Sequence, residues 1–387
     1  MRFSHTAGGT ARLPGRLSAG LRERWFSLRN GLLASERFRR WAAAFPLTRP
    51  IAQHHARELF DLCAGFVYSQ VLFACVRLKL LERLQQSAAD ARTLASELDL
   101  DLDSVTRLLD AARSLRLLSR LDDTRYAVGP LGAEILGDPG VQHMVLHHAM
   151  LYRDIADPIA LLRGEPGSGA LRDYWAYATR TDPLVLNETD VGPYTRLMAS
   201  SQPMIASEIL AVCSHFGRAS RVLDIGGGDG TFLARLARCH PHLKLALFDL
   251  PAVTARARVA LHGHGLDRRI DIHAGDFLRD PIPTGADLMC LIRIIHDHDD
   301  ADAHRLLVAI RKALPPTGRL LLAEPMAGTR GAEAMGDAYF GFYLLAMGKG
   351  RPRTRDRLRE MLRSAGFESI ESVPTRLPLL VRILIAG

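Results

Sequence analysis

At 387 residues, 48% hydrophobic and 24% charged, the chain has the length for two domains with substantial cores and the composition of an ordinary soluble protein. Five cysteines (Cys63, Cys75, Cys213, Cys239 and Cys290) are scattered, odd in number and never in a CxxC spacing, which excludes a disulfide framework or zinc site and points to reduced thiols in the cytosol. The net charge of +8 resides in residues 1–50, which hold ten arginines against Glu23 and Glu36, while the remaining 40 basic and 40 acidic residues balance.

Residues 1–54 therefore read as a basic arm, suited to nucleic acid or an anionic membrane surface, or else to solvation as a disordered arm. No apolar core with a small-residue cleavage site follows the first arginines, so a secretory signal is not expected. Phe60–Leu84 reads as helix. Its charge-free run Leu62–Val76 is shorter than the roughly 20 residues of a bilayer span and suits a buried or dimer-forming helix. A short helix from Thr93, a turn, and a helix capped by Asp103 or Ser104 follow. Two short strands around Asp122-Asp123 complete a pattern like a winged helix-turn-helix. The second helix mixes Asp103, Ser104, Thr106, Arg107, Asp110 and Arg113 with no net basic face, so subunit packing is expected there and nucleic-acid reading is not. Residues 131–216 read as helices interrupted at Pro139, Pro158, Pro166 and Pro183. They carry Tyr174, Trp175, Tyr177, Tyr194, Met198 and Met204, which suit core packing or the lining of a long apolar pocket.

From about Ala219 the pattern changes to strands alternating with helices, as in an α/β doubly wound, Rossmann-like sheet. The expected strands are 221–225, 244–248, 270–274, 288–295, 319–324, 369–373 and 380–385, the last two as an antiparallel pair. Three domains follow: the arm at 1–54, a helical winged-helix-like dimerisation and substrate domain at 55–215, and an α/β domain at 216–387.

The α/β domain opens on Arg221-Val-Leu-Asp-Ile-Gly-Gly-Gly-Asp-Gly-Thr231, a buried strand that breaks into a glycine turn and then a helix. Such a turn lets backbone approach a nucleotide-like ligand, but alone it does not say which one. Gly226 and Gly228 begin a G-x-G-x-x-G spacing whose last glycine is replaced by Thr231. Asp249, 25 residues after Asp224, ends the next strand in Phe-Asp-Leu-Pro, where a carboxylate accepts ribose hydroxyls or simply caps a helix. Asp276 follows the third strand in Gly-Asp-Phe, placed to meet an adenine amino group with Phe277 on the ring, or else to serve a turn. His296 follows the strand 288–295 and so falls at a carboxyl strand end, where a histidine can take a proton near neutral pH. Asp297 or Glu324 can orient it. His296-Asp-His-Asp-Asp300 also suggests metal ligands, but Asp299 to Asp302 reads as the acidic start of a helix, and no metal is expected.

Asp-Ile-Gly-Gly-Gly-Asp-Gly, Phe-Asp-Leu-Pro, Gly-Asp-Phe and Ile-Ile-His-Asp-His-Asp-Asp, in this order, resemble the S-adenosylmethionine-dependent O-methyltransferases of the plant caffeate/flavonoid type over about residues 55–387. The resemblance implies a dimerising winged-helix N-terminal domain and S-adenosyl-L-methionine as cofactor. It implies that Gly226, Asp249 and Asp276 hold that cofactor, that His296 is the general base, and that Glu324 orients it. Asp224, Gly228, Leu250, Phe277 and Arg293 are expected to join the cofactor site, and Tyr194, Met198, Phe342 and Met347 the acceptor pocket. Two positions depart from the family. Ile292 stands where a lysine is usual, and Pro352 replaces a second glutamate before Arg353-Thr354, so an acceptor unlike plant phenols is expected.

Finer stretches, among them Arg29-Asn-Gly-Leu-Leu-Ala-Ser-Glu-Arg-Phe38, Phe45-Pro-Leu-Thr-Arg-Pro-Ile51, Phe66-Val-Tyr-Ser-Gln-Val-Leu72 and Met335–Met347, are similar to the carotenoid 1-hydroxy O-methyltransferases of purple phototrophic bacteria. This implies methylation of a tertiary hydroxyl on an acyclic carotenoid by a homodimer in the cytoplasm that meets its apolar substrate at a membrane. On that reading the arm binds anionic lipid, each well-placed arginine contributing on the order of 1 kcal/mol. The rival readings are a methyltransferase of phenolic or polyketide products and a winged-helix regulator that senses the nucleoside.

Overall fold

The computed structural model describes residues 19–165, 169–175 and 186–387, with Ala19, Glu188, Thr189 and Pro193 described as backbone only. Residues 1–18 of the basic arm, with Pro166, Tyr177 and Pro183, lie outside the described residues. The chain forms two compact units, Met1–Ala133 and Glu134–Gly387.

The first unit begins with helices α1 (Ala19–Ala34), α2 (Glu36–Ala44) and α3 (Arg49–Arg77), then α4 (Leu80–Gln86). The single helix expected at 60–84 is thus two. The break falls at Lys79, whose φ of 53° is left-handed and cannot continue an α-helix. Strand β1 (Ala89–Asp90), α5 (Ala91–Leu98), α6 (Leu102–Ser114), β2 (Leu118–Arg120) and β3 (Arg125–Val128) complete a winged-helix arrangement, with the strands in the order β1-β3-β2. Asp101, not Asp103 or Ser104, caps α6: its Oδ1 accepts the Ser104 backbone N–H at 2.9 Å. Among the described residues one helix, α3, is long and apolar enough to cross a membrane, and most of its apolar surface is uncovered within the chain. Leu62 is 81% and Phe66 72% exposed, so of the expected buried or dimer-forming helix only the end, Cys75 and Val76, is buried within the chain, and the dimer-forming alternative stays open for the rest.

A helix at Pro130–Leu136 (α7) crosses the boundary between the units. The second unit then runs α8 (Pro139–Asp154), α9 (Pro158–Leu162), α10 (Ala170–Tyr174) and α11 (Glu188–Val212). Pro139 and Pro158 start helices here, each behind an aspartate cap (Asp138 and Asp157), because proline's missing N–H costs nothing in the first turn. The alternation that follows is β4 (Arg221–Ile225), α12 (Thr231–Cys239), β5 (Lys244–Asp249), α13 (Pro251–Gly263), β6 (Ile270–Ala274), β7 (Leu288–Ile292), α14 (Asp300–Ala313), β8 (Arg319–Glu324), α15 (Phe340–Met347), α16 (Arg355–Ser364), β9 (Ile370–Val373) and β10 (Arg382–Ala386). The strands lie in the order β6-β5-β4-β7-β8-β10-β9. β4 to β8 are parallel, and β10 is antiparallel to both β8 and β9.

β7 is wholly apolar, and β4 is buried from Val222 to Ile225, because both sheet faces are covered. On one face Ile205, Ile209, Phe232 and Leu261, from α11 to α13, pack on Val222, Leu245 and Leu321. On the other, Leu306, Ile310, Leu358 and Leu362 of α14 and α16 pack on Leu223, Met289 and Leu320. Because α11 packs into the sheet core, residues 134–212 belong to the same compact unit as the sheet. The chain visits β5 and β6 on one side of β4, then returns to β7 on the other. The crevice at the carboxyl ends of β4 and β7 is therefore the topological switch point, the place where such sheets bind ligands.

Candidate active site

The glycine loop leaves β4 at that crevice. Gly226 has a φ of +71°, and a Cβ there would stand 2.4 Å from Ile294 Cδ1. Both the backbone angle and the space require glycine. Beneath the loop lies Asp224, 2% exposed, so close under Gly227 that a Cβ there would stand 2.8 Å from the carboxylate. Burial, and after it the charge of Asp249, raises the Asp224 carboxyl well above the ordinary range. Asp224 therefore supports the loop from below instead of facing a ligand.

Asp249 closes β5 with its carboxylate anchored at both oxygens: Oδ2 accepts the Gly228 N–H at 2.9 Å and Oδ1 the Leu250 N–H at 2.7 Å. Burial pushes it up to about 6 despite these two donors. Each oxygen keeps a lone pair for a further donor, the arrangement that a ribose diol needs. Asp276, also buried, accepts the Leu278 N–H at 2.9 Å, and Phe277 beside it lines the same cavity.

The expected strand 288–295 ends early, at Ile292. Arg293 takes a φ of +60°, and the chain turns into a short 3-10 segment, Ile295–Asp297. Glu324, at the end of β8, enforces the turn, because its Oε1 accepts the N–H groups of Ile294 at 3.0 Å and Ile295 at 2.7 Å and takes them out of the strand ladder. Its Oε2 lies 2.5 Å from His296 Nδ1. On the other side of the ring, Nε2 is 3.2 Å from Asp297 Oδ1, and Asp297 Oδ2 accepts from the Tyr194 hydroxyl at 3.2 Å. Burial alone would lower the imidazole's affinity for a proton. The Asp297 and Glu324 carboxylates outweigh it and raise the pKa above the usual histidine value. Burial also raises the Asp297 carboxyl, against the opposing pull of His296.

At the crevice lies a cavity of 410 Å³, whose wall includes Gly226–Gly228, Asp249, Leu250, Phe277, Arg293 and Asp297. Tyr194, Met198 and Trp175 line its other side. His296 stands behind Asp297, with the Phe340 ring edge-on at 5.8 Å. Arg293 reaches across to α11, donating to Ser201 Oγ at 2.7 Å and lying 3.2 Å from Met198 Sδ. Of the expected acceptor residues, Phe342 and Met347 are not in the wall. Helix phase turns Phe342 outward, 38% exposed, and sends Met347 into the packing cluster with Leu151, Leu171 and Trp175.

Sequence reasoning missed the support behind the turn. Arg353 is buried and donates to the carbonyls of Ile295 and His298, both at 2.7 Å, while pairing with Asp300 at 2.7 Å. Arg351 N–H donates to His296 O at 2.9 Å, and Gly350 passes so close that a Cβ would stand 2.3 Å from that same oxygen. The only signal was the Arg353-Thr354 pair itself. Also unforeseen are two histidine–tyrosine pairs, His147 with Tyr343 and His148 with Tyr339, each at 2.8 Å. Asp299 stands at the N-cap position of α14 with its carboxylate accepting the Gly350 N–H at 3.2 Å, and Asp300 and Asp302 pair with Arg353, Arg357, Lys349 and Arg305, in keeping with an acidic helix start.

The O-methyltransferase domain family matches residues 172–368, and its dimerisation domain matches residues 60–137. The demethylspheroidene O-methyltransferase of Cereibacter sphaeroides is 39% identical over 347 residues, 89% of this chain and 90% of that protein. The enzyme of the same name from Rhodobacter capsulatus is 36% identical over 90% of this chain and 86% of its own length. Among solved structures, mitomycin 7-O-methyltransferase is similar at a TM-score of 0.71 and 27% identity, covering 87% of this chain and 99% of that one. Human N-acetylserotonin methyltransferase, solved with S-adenosylmethionine, shares the fold at a TM-score of 0.70 and 24% identity, covering 86% and 97%. With its sheet, glycine loop and paired dimerisation domain, this chain belongs to the S-adenosylmethionine-dependent O-methyltransferases.

Proposed function

We propose that the chain transfers the methyl group of S-adenosylmethionine to the tertiary 1-hydroxyl of an acyclic carotenoid, with His296 as general base. The observation that carries the chemistry is the buried His296–Glu324 pair beside the glycine-lined cavity. The acceptor comes from the likeness to two demethylspheroidene O-methyltransferases at 39% and 36% identity.

The residues present suit the cofactor. Asp249 offers its free lone pairs to the ribose hydroxyls, Asp276 and Phe277 frame the adenine, Gly226 and Gly228 let the backbone come close, and Arg293 closes the site. When bound, the cofactor supplies a methyl group already activated on a sulfonium. A tertiary alcohol is too weak an acid to be deprotonated beforehand, so His296 accepts the proton as the oxygen attacks. A carboxylate only accepts, so Glu324 fixes the proton on Nδ1 and directs the Nε2 lone pair to the acceptor, whose hydroxyl replaces the contact with Asp297. Asp297 and Glu324 stabilise the imidazolium that forms. Trp175, Tyr194 and Met198 give the apolar wall that excludes water.

On this reading the hydroxylated end of the carotenoid is the part that must enter the cavity, since that end carries the reacting oxygen. Such a molecule resides in a bilayer, and the enzyme, a homodimer through its dimerisation domain, meets it at an anionic membrane from the cytoplasmic side, where its free thiols persist. Incubation with labelled S-adenosylmethionine and a 1-hydroxy carotenoid tests the assignment. Label in the carotenoid supports it. Label transferred only to phenolic acceptors would replace it with the phenol-type reading.

A further inference from the structure

Helices α1 and α2 and the start of α3 bury almost nothing. Ala42 is the single buried residue between positions 20 and 51, and ten large apolar side chains there are exposed, among them Trp25, Phe26, Leu28, Trp41, Phe45 and Leu47, the last 79% exposed. Water does not stabilise such a surface, and a patch of this extent marks an interaction site. The same stretch, residues 19–51, carries seven arginines against two glutamates. Charge and apolar groups are interleaved: the Arg29 guanidinium lies 5.1 Å from the Trp25 ring and 4.6 Å from that of Phe26.

We propose that α1, α2 and the first turns of α3 form a docking surface for an anionic lipid bilayer. Tryptophan, phenylalanine and leucine enter the boundary between headgroups and acyl chains while the arginines pair with lipid phosphates. Charge decides against a second copy as the occupant. A second copy carries the same excess of arginine on this stretch, seven against two glutamates, and so lacks the opposite charge that an anionic surface offers. The dimerisation domain match begins only at residue 60, leaving this stretch outside it, and the exposed Leu62 and Phe66 of α3 lie within it. A nucleic acid would match the charge but leave Trp41, Phe45 and Leu47 in water. The inference rests on the membrane-held acceptor for its purpose, though not for its test.

The test uses the full chain in vesicle flotation, with phosphatidylcholine alone and with phosphatidylcholine mixed with phosphatidylglycerol. We expect binding to the anionic vesicles at least about tenfold above the neutral ones, weakening as salt rises. The double variants Arg24→Glu with Arg37→Glu, and Trp25→Ser with Trp41→Ser, should each weaken it by about tenfold or more, with dimer mass and S-adenosylmethionine binding unchanged. Equal binding to both vesicle types overturns the proposal. So do variants that split the dimer while vesicle binding persists, which would make the second copy the occupant, and so does duplex DNA binding that displaces the vesicles. Vesicle binding without methylation of any carotenoid would keep the docking surface and sink the acceptor assignment alone.

Discussion

Glu324 holds His296 by one oxygen, at 2.5 Å from Nδ1, and with the other accepts the backbone N–H groups that begin the turn carrying His296. One carboxylate thus shapes the backbone and orients the ring. We expect Glu324→Gln to lower kcat by about 10²-fold or more, because an amide can present the wrong partner to Nδ1. His296→Ala should lower turnover by about 10²- to 10⁴-fold and leave S-adenosylmethionine affinity within a factor of about two. Isothermal titration alongside single-turnover assays separates the two effects, and near-normal turnover by His296→Ala would remove it as the base. Because neighbouring carboxylates raise its pKa, the wild-type ring keeps its proton to a higher pH than an ordinary histidine. The rate should therefore fall as pH drops through a value above the usual 6.5.

On the proposed assignment Asp249 binds ribose hydroxyls as a carboxylate, yet burial pushes it up to about 6. A raised pKa means the protonated form is populated in mildly acidic solution. Cofactor affinity should then be constant above pH 7 and fall about tenfold per unit once pH is well below 6, with proton release on binding in that lower range. Titrations in buffers of different ionisation heat count the protons. A flat affinity from pH 5 to 8 would contradict the assignment.

Gly226 combines a left-handed backbone with a near-contact to Ile294. Gly226→Ala should weaken cofactor binding by about tenfold or more. Adding Ile294→Ala should recover the part due to crowding and leave the part due to backbone strain. Full recovery in the double variant would show that φ does not matter there.

Arg353 does not itself line the cavity and acts as a positioning residue, through the carbonyls of Ile295 and of the wall residue His298. Arg353→Ala leaves those carbonyls and Asp300 short of a donor, and we expect a loss of about 2–4 kcal/mol in stability. Arg353→Lys supplies one ammonium in place of a fork and should retain much of the stability while lowering kcat more than it changes KM. Denaturant melts and steady-state kinetics on both variants check this. A lysine variant with wild-type kcat would mean that the turn does not depend on the fork.

The primary structure by itself determined the sheet, because runs such as Leu288–Ile292 and Arg319–Glu324 are apolar enough to be buried on both faces. It also determined which residue types gather at the crevice, since the glycine turn, Asp249, Asp276 and His296 lie at strand ends, and strand ends are readable from local pattern. Helix bounds were less legible. Nothing in the periodicity of residues 60–84 marks Lys79 as left-handed, or Arg293 as the point where β7 stops.

Only the tertiary structure decided what stands behind each group. Asp224 and Asp249 stand near the carboxyl ends of neighbouring strands, yet the fold buries the first under Gly227 and turns the second to the cavity. Arg353 reaches the histidine turn from more than fifty residues away, and helix phase sends Met347 to the core and Phe342 to the surface. Local sequence sets where a chain bends and which face is apolar. The partners of a buried charge depend on which distant segments the packing brings within 3 Å of it, and hydrogen bonds at that range have no periodic trace in the sequence.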